Sequence, residues 1–258
     1  MPTTSPSLQL TTPDTLEQHT VESYRERGFV RIPNAISKEE AERFRQAALG
    51  LAERMQSLST TGTFTQLVNA WREDEDLRDL SLHPNLAALT ERLAGVDLRL
   101  WHDQILIKQP HNNRPTNYHQ DQPYWPHANS THSISAWVAL VDVPVERGCM
   151  TFIPGSQRRT ELRTQNLEDP RSLMTICPEL EWDERVTVPL RAGDCTFHSS
   201  RCAHMATPNL TDEPRVAHVV IYMDATTTYN GQPHVVTDPL NLEVGNLLEG
   251  EFFPKITP

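Results

Sequence analysis

The sequence predicts a mainly β protein with peripheral helices, in which the strands form a sandwich or a barrel. From residue 97 onward, short β-rich runs follow one another, and turn residues rather than long helices separate them. Before that point, apolar residues recur at the three- and four-residue spacing of amphipathic helices. Successive strands without helices between them are typical of sandwiches and barrels and not of alternating βαβ folds. We therefore expect the helices to pack on the outside of a sheet.

The N-terminal part divides into an arm and a helical flank. Residues 1–13 carry no periodic apolar pattern and are expected to form a flexible arm. Residues 14–95 are expected to be mainly helical. The first helix is predicted over residues 15–27, because Thr15 and Gln18 have the spacing of a capping box.

A short strand and further helices follow in the same flank. The alternating run 29–33 predicts a strand. Ser37 and Glu40 have the spacing of a second capping box and begin a helix whose apolar residues lie three and four positions apart. Further separate helices are expected between about residues 63 and 94, with breaks at Pro84 and Gly95.

The β-rich part, residues 96–224, is predicted to form the core of one domain that includes all 258 residues. Its β-rich runs are 98–108, 133–143, 149–154, 185–193, 195–199 and 215–223. The polar, irregular segment from about 155 to 184 is predicted to be an insertion over the mouth of the barrel. The Pro-rich tail, residues 225–258, is expected to wrap the surface.

Composition and charge exclude several classes of function. The formal net charge is −11, whereas binding to nucleic acid requires a basic surface. No apolar run approaches the roughly 18 residues of a membrane span, and the N-terminus lacks the pattern of a secretory signal. The four cysteines match no zinc-binding spacing. We therefore expect a cytoplasmic protein with reduced thiols, a small-molecule substrate, and no nucleic-acid or membrane partner.

Two imidazoles and one carboxylate form the candidate metal site. His119 and Asp121 are two residues apart, so on an extended strand both would point to the same side and Gln120 away from it. His204, in a later β-rich region, is the candidate third ligand. Two histidines and one carboxylate are the facial triad that binds iron(II) and leaves coordination positions open. A jelly roll brings such ligands from non-adjacent strands around one cavity.

Several motifs resemble one known family, and they occur in the same order. The segment YRERGFVRIPNAISKEEAERFR resembles the N-terminal helix, strand and helix of the phytanoyl-CoA dioxygenase family. HQDQPYW resembles that family's H-x-D motif with its following aromatics, and AWVALVDVPVERGCMTFIPGSQRR resembles its strand, Gly turn and PGSH segment. AGDCTFHSSRCAHMATPNLTDEPR is similar to its closing motif. The resemblance covers about residues 20–224 and implies a double-stranded β-helix (jelly-roll, cupin-like) core.

The resemblance implies roles for four residues. His119, Asp121 and His204 would be the iron ligands. Arg215, eleven residues after the last ligand, would bind the distal carboxylate of 2-oxoglutarate. A guanidinium suits this role, since it stays charged and can form two parallel hydrogen bonds to a carboxylate.

Further co-substrate contacts are implied at Trp137 and Lys108. The sequence also departs from the family at one contact, because Ala206 stands where the family often has Ser. Either Thr207 or Thr211 replaces that contact with the co-substrate, or the contact is lost.

The implied activity is an oxidation that uses Fe(II), 2-oxoglutarate and O2 and produces succinate and CO2. Hydroxylation of a small organic molecule, such as a natural-product intermediate, is the first interpretation. The same oxidant could instead give desaturation, epimerisation or cyclisation, and the sequence does not separate these outcomes. A jelly-roll protein that binds a metal without oxygenase activity is the alternative of another class, and Arg215 argues against it.

The substrate itself is not identified by the sequence. Tyr124, Trp125 and His127 follow the metal motif and are candidates to line the substrate pocket. The two aromatics are equally compatible with ordinary core or rim positions. The sequence also leaves the oligomeric state open.

Overall fold

Two β-sheets packed face to face form the core of the protein. The structure is a computed structural model that describes residues 9–55, 63–159 and 163–256. The larger sheet has six strands in the order β1 (Phe29–Ile32), β9 (Cys195–Ser199), β6 (Ile134–Ala139), β11 (Arg215–Asp224), β3 (Leu98–Lys108) and β2 (Thr65–Val68). The smaller sheet has four strands in the order β4 (Thr116–His119), β10 (His204–Ala206), β7 (Met150–Phe152) and β8 (Val186–Val188). A two-stranded ribbon pairs β5 (His127–Ala128) with β12 (Thr228–Tyr229).

Four of the five α-helices pack against the outer face of the six-stranded sheet, whereas the fifth lies beside β4 of the smaller sheet. The α-helices are α1 (Gln18–Arg27), α2 (Lys38–Arg54), α3 (Glu75–Ser81), α4 (Pro84–Ala94) and α5 (Ser172–Ile176). Short 3₁₀ turns occupy Ala70–Arg72, Gln122–Tyr124, Ser156–Arg158, Pro178–Trp182 and Asp238–Leu240. Helix residues such as Phe44 and Leu89 share one buried cluster with Leu100 of β3 and Val220 of β11.

The second apolar cluster lies between the two sheets. It joins Trp137 of β6 and Val219 of β11 to Met150 and Phe152 of β7. Side chains alternate between the two faces of a strand. Strands of the larger sheet therefore contribute one set of side chains to the helices and the other set to the interior of the jelly roll. This arrangement confirms the predicted fold class.

The long strands agree closely with the sequence prediction. The predicted run 98–108 coincides with β3, and the run 215–223 lies within β11. These strands pair with each other antiparallel along their whole length, and one register pair is Arg215 with Lys108. Their continuous apolar sequence is typical of strands that are buried on both faces.

Two local predictions in the helical flank were wrong. The helix α1 begins at Gln18, and its N-cap residue Glu17 makes no side-chain cap, because Thr15 bonds within the preceding turn to Thr12 instead. Residues 65–68, expected within a helical region, form β2 at the edge of the larger sheet. The capping box at Ser37 is confirmed, with both of its hydrogen bonds formed.

The segments outside the core pack closely against it. Thr11 of the N-terminal arm donates to the backbone of Asn34 and Pro33, while residues 1–8 of the predicted arm lie outside the described residues. The tail does more than wrap the surface, since Leu248 and Phe253 are buried in the core between the sheets. Residues 257 and 258 lie outside the described part of the tail.

The predicted insertion lies against the strand that precedes the metal motif. Asn117 donates to the carbonyl of Leu167, and the Gln120 amide donates to the side chain of Gln165. Residues 160–162 of this segment lie outside the described residues. All four cysteines are buried. Among the described residues, no helix combines the length and the apolar character needed to cross a bilayer.

Candidate metal and co-substrate site

The three predicted metal ligands meet at one end of the smaller sheet. His119 ends β4 and His204 begins β10, and the two residues are register partners across these strands. Asp121 follows two residues after β4. The ligand atoms of the three side chains all lie within 4.8 Å of one another. The Nε2 atoms of His119 and His204 are 3.4 and 3.6 Å from Oδ1 of Asp121.

Backbone hydrogen bonds set the tautomer of both histidines. Nδ1 of His119 lies 2.7 Å from the carbonyl of Asn117, and Nδ1 of His204 lies 2.9 Å from the carbonyl of Cys202. A carbonyl can only accept, so in the neutral ring Nδ1 carries the proton and Nε2 presents a lone pair. Two lone pairs and a carboxylate oxygen therefore converge, and a divalent cation is the group that fits between them.

The local backbone differs from the prediction at Asp121. The prediction placed His119 and Asp121 on one extended strand, but β4 ends at His119 and Asp121 has helical angles of φ −77° and ψ −43°. Its amide donates to the carbonyl of Ser200, which turns the chain toward β10. A turn rather than strand alternation thus brings the carboxylate beside the imidazole. Gln120 points away as predicted, and its side chain donates to the carbonyl of Arg201.

In this cluster, burial and the neighbouring charges shift the side-chain pKa values in opposite directions. Burial alone would raise the pKa of Asp121, but the neighbouring His204, His119 and His198 hold it well below its usual value. Burial lowers the pKa of His204 to about 3. Burial also opposes the charged form of His119, but its contacts with Asp121 raise its pKa above the usual value. Asp121 is therefore an anion at neutral pH, and His204 is a neutral base, as metal binding requires.

The second oxygen of Asp121 has its own partners. Oδ2 lies 3.6 Å from Nε2 of His198 and 3.4 Å from the hydroxyl of Ser135. His198 is 1% exposed, and its ring centroid is 4.6 Å from that of His204. From the sequence, His198 could be either a hydrogen-bond donor that supports the metal ligands or a structural histidine at a strand end. Its place on β9, in a Phe-His pair six residues before His204, was the available signal.

Arg215 lies in the same cavity as the three predicted ligands, together with Trp137. Its guanidinium is 1% exposed, lies 5.3 Å from the ring centroid of Trp137, and donates from Nη1 to the carbonyl of Leu106. Within the described part of the chain, its Nε has no hydrogen-bond partner and no carboxylate forms an ion pair with it. Burial lowers the pKa of Arg215 to about 9, which still leaves a cation at pH 7.

A buried cation without a protein counter-ion is costly, and an incoming carboxylate would remove that cost. The cavity therefore fits an anionic co-substrate at Arg215.

Glycine at position 148 leaves space for the side chains of Arg215 and Lys108. Its φ is +78°, and a Cβ there would lie 3.3 Å from both Nε of Arg215 and Cδ of Lys108.

The other predicted co-substrate contacts lie behind the cavity wall. Lys108 is fully buried, and its Nζ donates to the carbonyls of Thr207, Arg114 and Ala206. Burial, followed by repulsion from Arg215, lowers the pKa of Lys108 to about 7. The Thr207 hydroxyl donates to the carbonyl of Val145 rather than toward the cavity. Neither of these side chains lines the cavity, but both support the strands that carry Arg215 and Ala206.

Thr211, the alternative to Thr207, also lies away from the cavity. Its hydroxyl donates to Oδ1 of Asn209 at 2.8 Å. Ala206 itself lines the cavity and presents only a methyl group there.

The three predicted substrate residues divide between the cavity and the core. Tyr124 and Trp125 line the cavity. His127 does not, because it packs behind the wall with its ring centroid 4.5 Å from that of Trp101. His234 of the tail also lines the cavity, and the sequence analysis missed it. A single histidine in a Pro-rich tail carries no local signal for such a role.

Comparison with known proteins agrees with this geometry. Residues 24–217 match the sequence profile of the phytanoyl-CoA dioxygenase family. Among curated relatives, phytanoyl-CoA dioxygenase domain-containing protein 1 of Rattus norvegicus is 27% identical over 161 residues, which cover 60% of this chain and 55% of the relative. The chain spans about half the length of the first curated relatives it matches.

Two solved structures are similar over nearly their whole length. The non-heme alpha-ketoglutarate-dependent carbocyclase SnoK from nogalamycin biosynthesis is 39% identical with a TM-score of 0.88, and the match covers 96% of this chain and 100% of that one. The epimerase SnoN, solved with Fe³⁺, alpha-ketoglutarate (2-oxoglutarate) and nogalamycin RO, is 36% identical with a TM-score of 0.80, and the match covers 93% and 98%. The profile match extends over most of the jelly roll, and the chain belongs to the phytanoyl-CoA dioxygenase family of iron(II)- and 2-oxoglutarate-dependent oxygenases.

Proposed function

We propose that this protein oxidises a small organic molecule with iron(II), 2-oxoglutarate and O2, with hydroxylation as the first outcome. His119, Asp121 and His204 would hold the iron, and Arg215 would bind the distal carboxylate of 2-oxoglutarate. One observation carries the proposal: three candidate ligand atoms lie within 4.8 Å of one another and share one cavity with the buried guanidinium of Arg215, which has no carboxylate partner among the described residues.

Iron held by these residues would supply the oxidising chemistry, in which one atom of O2 would enter the succinate formed from 2-oxoglutarate and, in hydroxylation, the other would enter the substrate. The protein supplies binding and orientation. The Nδ1 hydrogen bonds of His119 and His204 keep both Nε2 lone pairs aimed at the ion. Contacts from His198 and Ser135 orient the carboxylate of Asp121. Trp125, Trp137 and Met150 contribute apolar surface that excludes water.

A second outcome, cyclisation or epimerisation, is favoured by the two similar structures described above. Their names state that one is a carbocyclase and the other an epimerase, at 39% and 36% identity. These reactions would use the same ligands and the same Arg215. Mass spectrometry of the product separates the outcomes, because hydroxylation adds one oxygen atom, ring closure removes two hydrogen atoms, and epimerisation leaves the mass unchanged.

The decisive experiment measures 2-oxoglutarate binding to the iron-loaded protein by calorimetry under argon. Replacing Arg215 by Leu removes the cation that faces the co-substrate, so we expect the dissociation constant to rise at least about 100-fold. The matched control is Arg171→Leu, which removes a guanidinium that is 67% exposed and paired with Glu181. Equal affinity of wild type and Arg215→Leu would favour a metal-binding protein without oxygenase activity.

A further inference from the structure

The walls of the cavity contain few charged groups beyond those already assigned. Its volume is about 240 Å³, which is below the roughly 300–1,000 Å³ of common small-molecule pockets. Among the described lining residues, the charged types are the three proposed ligands, Arg215, His198 and His234. The proposed ligands face the metal, His198 faces Asp121, and Arg215 faces the co-substrate. Two titratable lining groups remain for the substrate, His234 and Tyr124, and the Tyr124 hydroxyl is already hydrogen-bonded to the backbone of Gln165.

The polar groups left for the substrate are uncharged. Gln66 of β2 and Gln104 of β3 line the cavity beside each other on neighbouring strands. Burial lowers the pKa of His234, so its ring is neutral at pH 7. Burial also lowers the pKa of His102 and His127, which lie behind this wall, to about 3. Among the residues that the structure describes, none offers an ionised substrate a counter-charge on this side of the cavity, and such a substrate would lose its hydration on entering.

The tail holds the ring of His234 in a defined tautomer. The amide of Val236 donates to its Nδ1 at 3.2 Å. An amide can only donate, so Nδ1 carries the lone pair and Nε2 carries the proton. Among the described residues, none accepts a hydrogen bond from this Nε2.

The ring is also held in place. Its centroid lies 5.2 Å from that of Trp101, which is fully buried and stacks on Phe253. The His234 amide donates to Oδ1 of Asp238, and two later amides donate back to the His234 carbonyl, so the surrounding tail forms a compact turn. The Nε2–H donor of His234 is therefore already oriented, so ligand binding would not incur the entropy cost of fixing the ring.

We propose that the cavity binds an uncharged, mainly apolar molecule that carries an oxygen acceptor, and that His234 donates its Nε2–H to that oxygen to position the substrate. This assignment rests on the proposed function, because it takes the metal and Arg215 to be occupied by iron and 2-oxoglutarate. Gln66 and Gln104 offer further neutral donors and acceptors to the same molecule. Hydroxyl, ether and carbonyl oxygens are suitable acceptors, whereas amino acids and acyl phosphates are not suitable substrates.

The test uses three small probes of similar shape: coumarin, which carries a carbonyl, naphthalene, which carries no acceptor, and the anion coumarin-3-carboxylate. The full chain is loaded with Mn(II) and 2-oxoglutarate, and the relaxation of probe protons by the bound Mn(II) measures binding beside the metal. We expect coumarin to bind about 5- to 10-fold more tightly than naphthalene, the effect of one hydrogen bond. The carboxylate should bind more weakly than coumarin.

Two variants identify the donor. His234→Phe should abolish the preference for coumarin over naphthalene, whereas His234→Gln, which keeps an N–H donor, should retain part of it. An unchanged affinity for 2-oxoglutarate in both variants shows that the metal and co-substrate sites are intact. A preference that survives in His234→Phe, equal binding of coumarin and naphthalene to wild type, or tighter binding of the carboxylate would each overturn the proposal. Failure of 2-oxoglutarate to bind the wild-type protein would instead contradict the proposed function.

Discussion

His119 and His204 stand directly opposite each other on the antiparallel strands β4 and β10, with ring centroids 4.3 Å apart. Residues directly opposite each other in an antiparallel pair have closely spaced side chains, so the pairing register alone brings the two rings together. Asp121 is brought in by the turn that follows β4. The candidate metal site is therefore formed by one strand pairing and one turn.

Replacing Asp121 by Asn should weaken metal binding. The amide has the shape of the carboxylate but lacks its charge, so two imidazoles would be left without the anionic ligand. Loss of a residue that only hydrogen-bonds to a metal ligand typically weakens metal binding about 10- to 100-fold. Asp121 would itself be a ligand, so we expect the dissociation constant for Mn(II), measured by electron paramagnetic resonance, to rise at least about 100-fold. Asp212→Asn, at a side chain that is 94% exposed, is the control. Similar Mn(II) affinity in both variants would exclude Asp121 as a ligand.

Replacing Gly148 by Ala should weaken co-substrate binding. The added Cβ would meet the side chains of Arg215 and Lys108 at 3.3 Å and push the guanidinium from its position. We expect the dissociation constant for 2-oxoglutarate to rise on the order of 10-fold, because paired hydrogen bonds to a carboxylate require a defined geometry. Gly250→Ala is a matched control, with φ +86° and nothing within 4 Å of the added methyl group.

Both glycine variants carry the cost of a left-handed backbone, which is roughly 1 kcal/mol for alanine. Their free energies of unfolding should therefore fall by similar amounts, and their affinities for 2-oxoglutarate should differ. An equal loss of affinity in both variants would show that backbone strain, and not contact with Arg215, is the cause.

A buried polar network joins the helices to the larger sheet, and breaking it should destabilise the protein. Oδ2 of Asp103 lies 2.9 Å from Nε2 of His218 and accepts from the hydroxyl of Ser81 and the amide of Trp71. Asp103 and His218 are fully buried. His218→Leu should lower the free energy of unfolding by about 3–5 kcal/mol, because it leaves a buried carboxylate with fewer partners. Denaturant unfolding measures this loss, and His111→Leu at an exposed ion pair should have no measurable effect.

Asp224 should make stability depend on pH at the acid end. Burial would raise its pKa, but hydrogen bonds from Ser130 and His132 outweigh burial and hold the pKa below its usual value. A carboxyl whose pKa is lower in the folded state contributes stability above its unfolded pKa of roughly 3.9, and the contribution is lost as the pH falls through the folded value. Asp224→Asn should therefore cost about 1–3 kcal/mol at pH 7.

Thermal unfolding of wild type and Asp224→Asn at several pH values provides the measurement. The difference between the two proteins should be constant above roughly pH 5 and should shrink below roughly pH 4. A difference that stays constant into the acid range would show that the hydrogen bonds, and not the charge, account for the effect.

Much of the fold was predictable because its signals are local. The runs that became β3 and β11 are long and rich in β-forming side chains, and the capping box at Ser37 depends on residues three positions apart. The edge strand β2 was not predicted, since four residues without strong alternation are ordered only by pairing with β3. Thr15 was also misassigned, because its local hydrogen bonds to Thr12 compete with capping.

The sequence by itself determined a sandwich or barrel from its run of short strands, and the family resemblance of its motifs added the jelly-roll core and the candidates His119, Asp121, His204 and Arg215. The tertiary structure decided which groups face the cavity. It placed His198 beside Asp121, turned Thr207 away and brought His234 from the tail to the cavity wall. These positions arise from contacts between residues far apart in the chain, and no local pattern encodes such contacts.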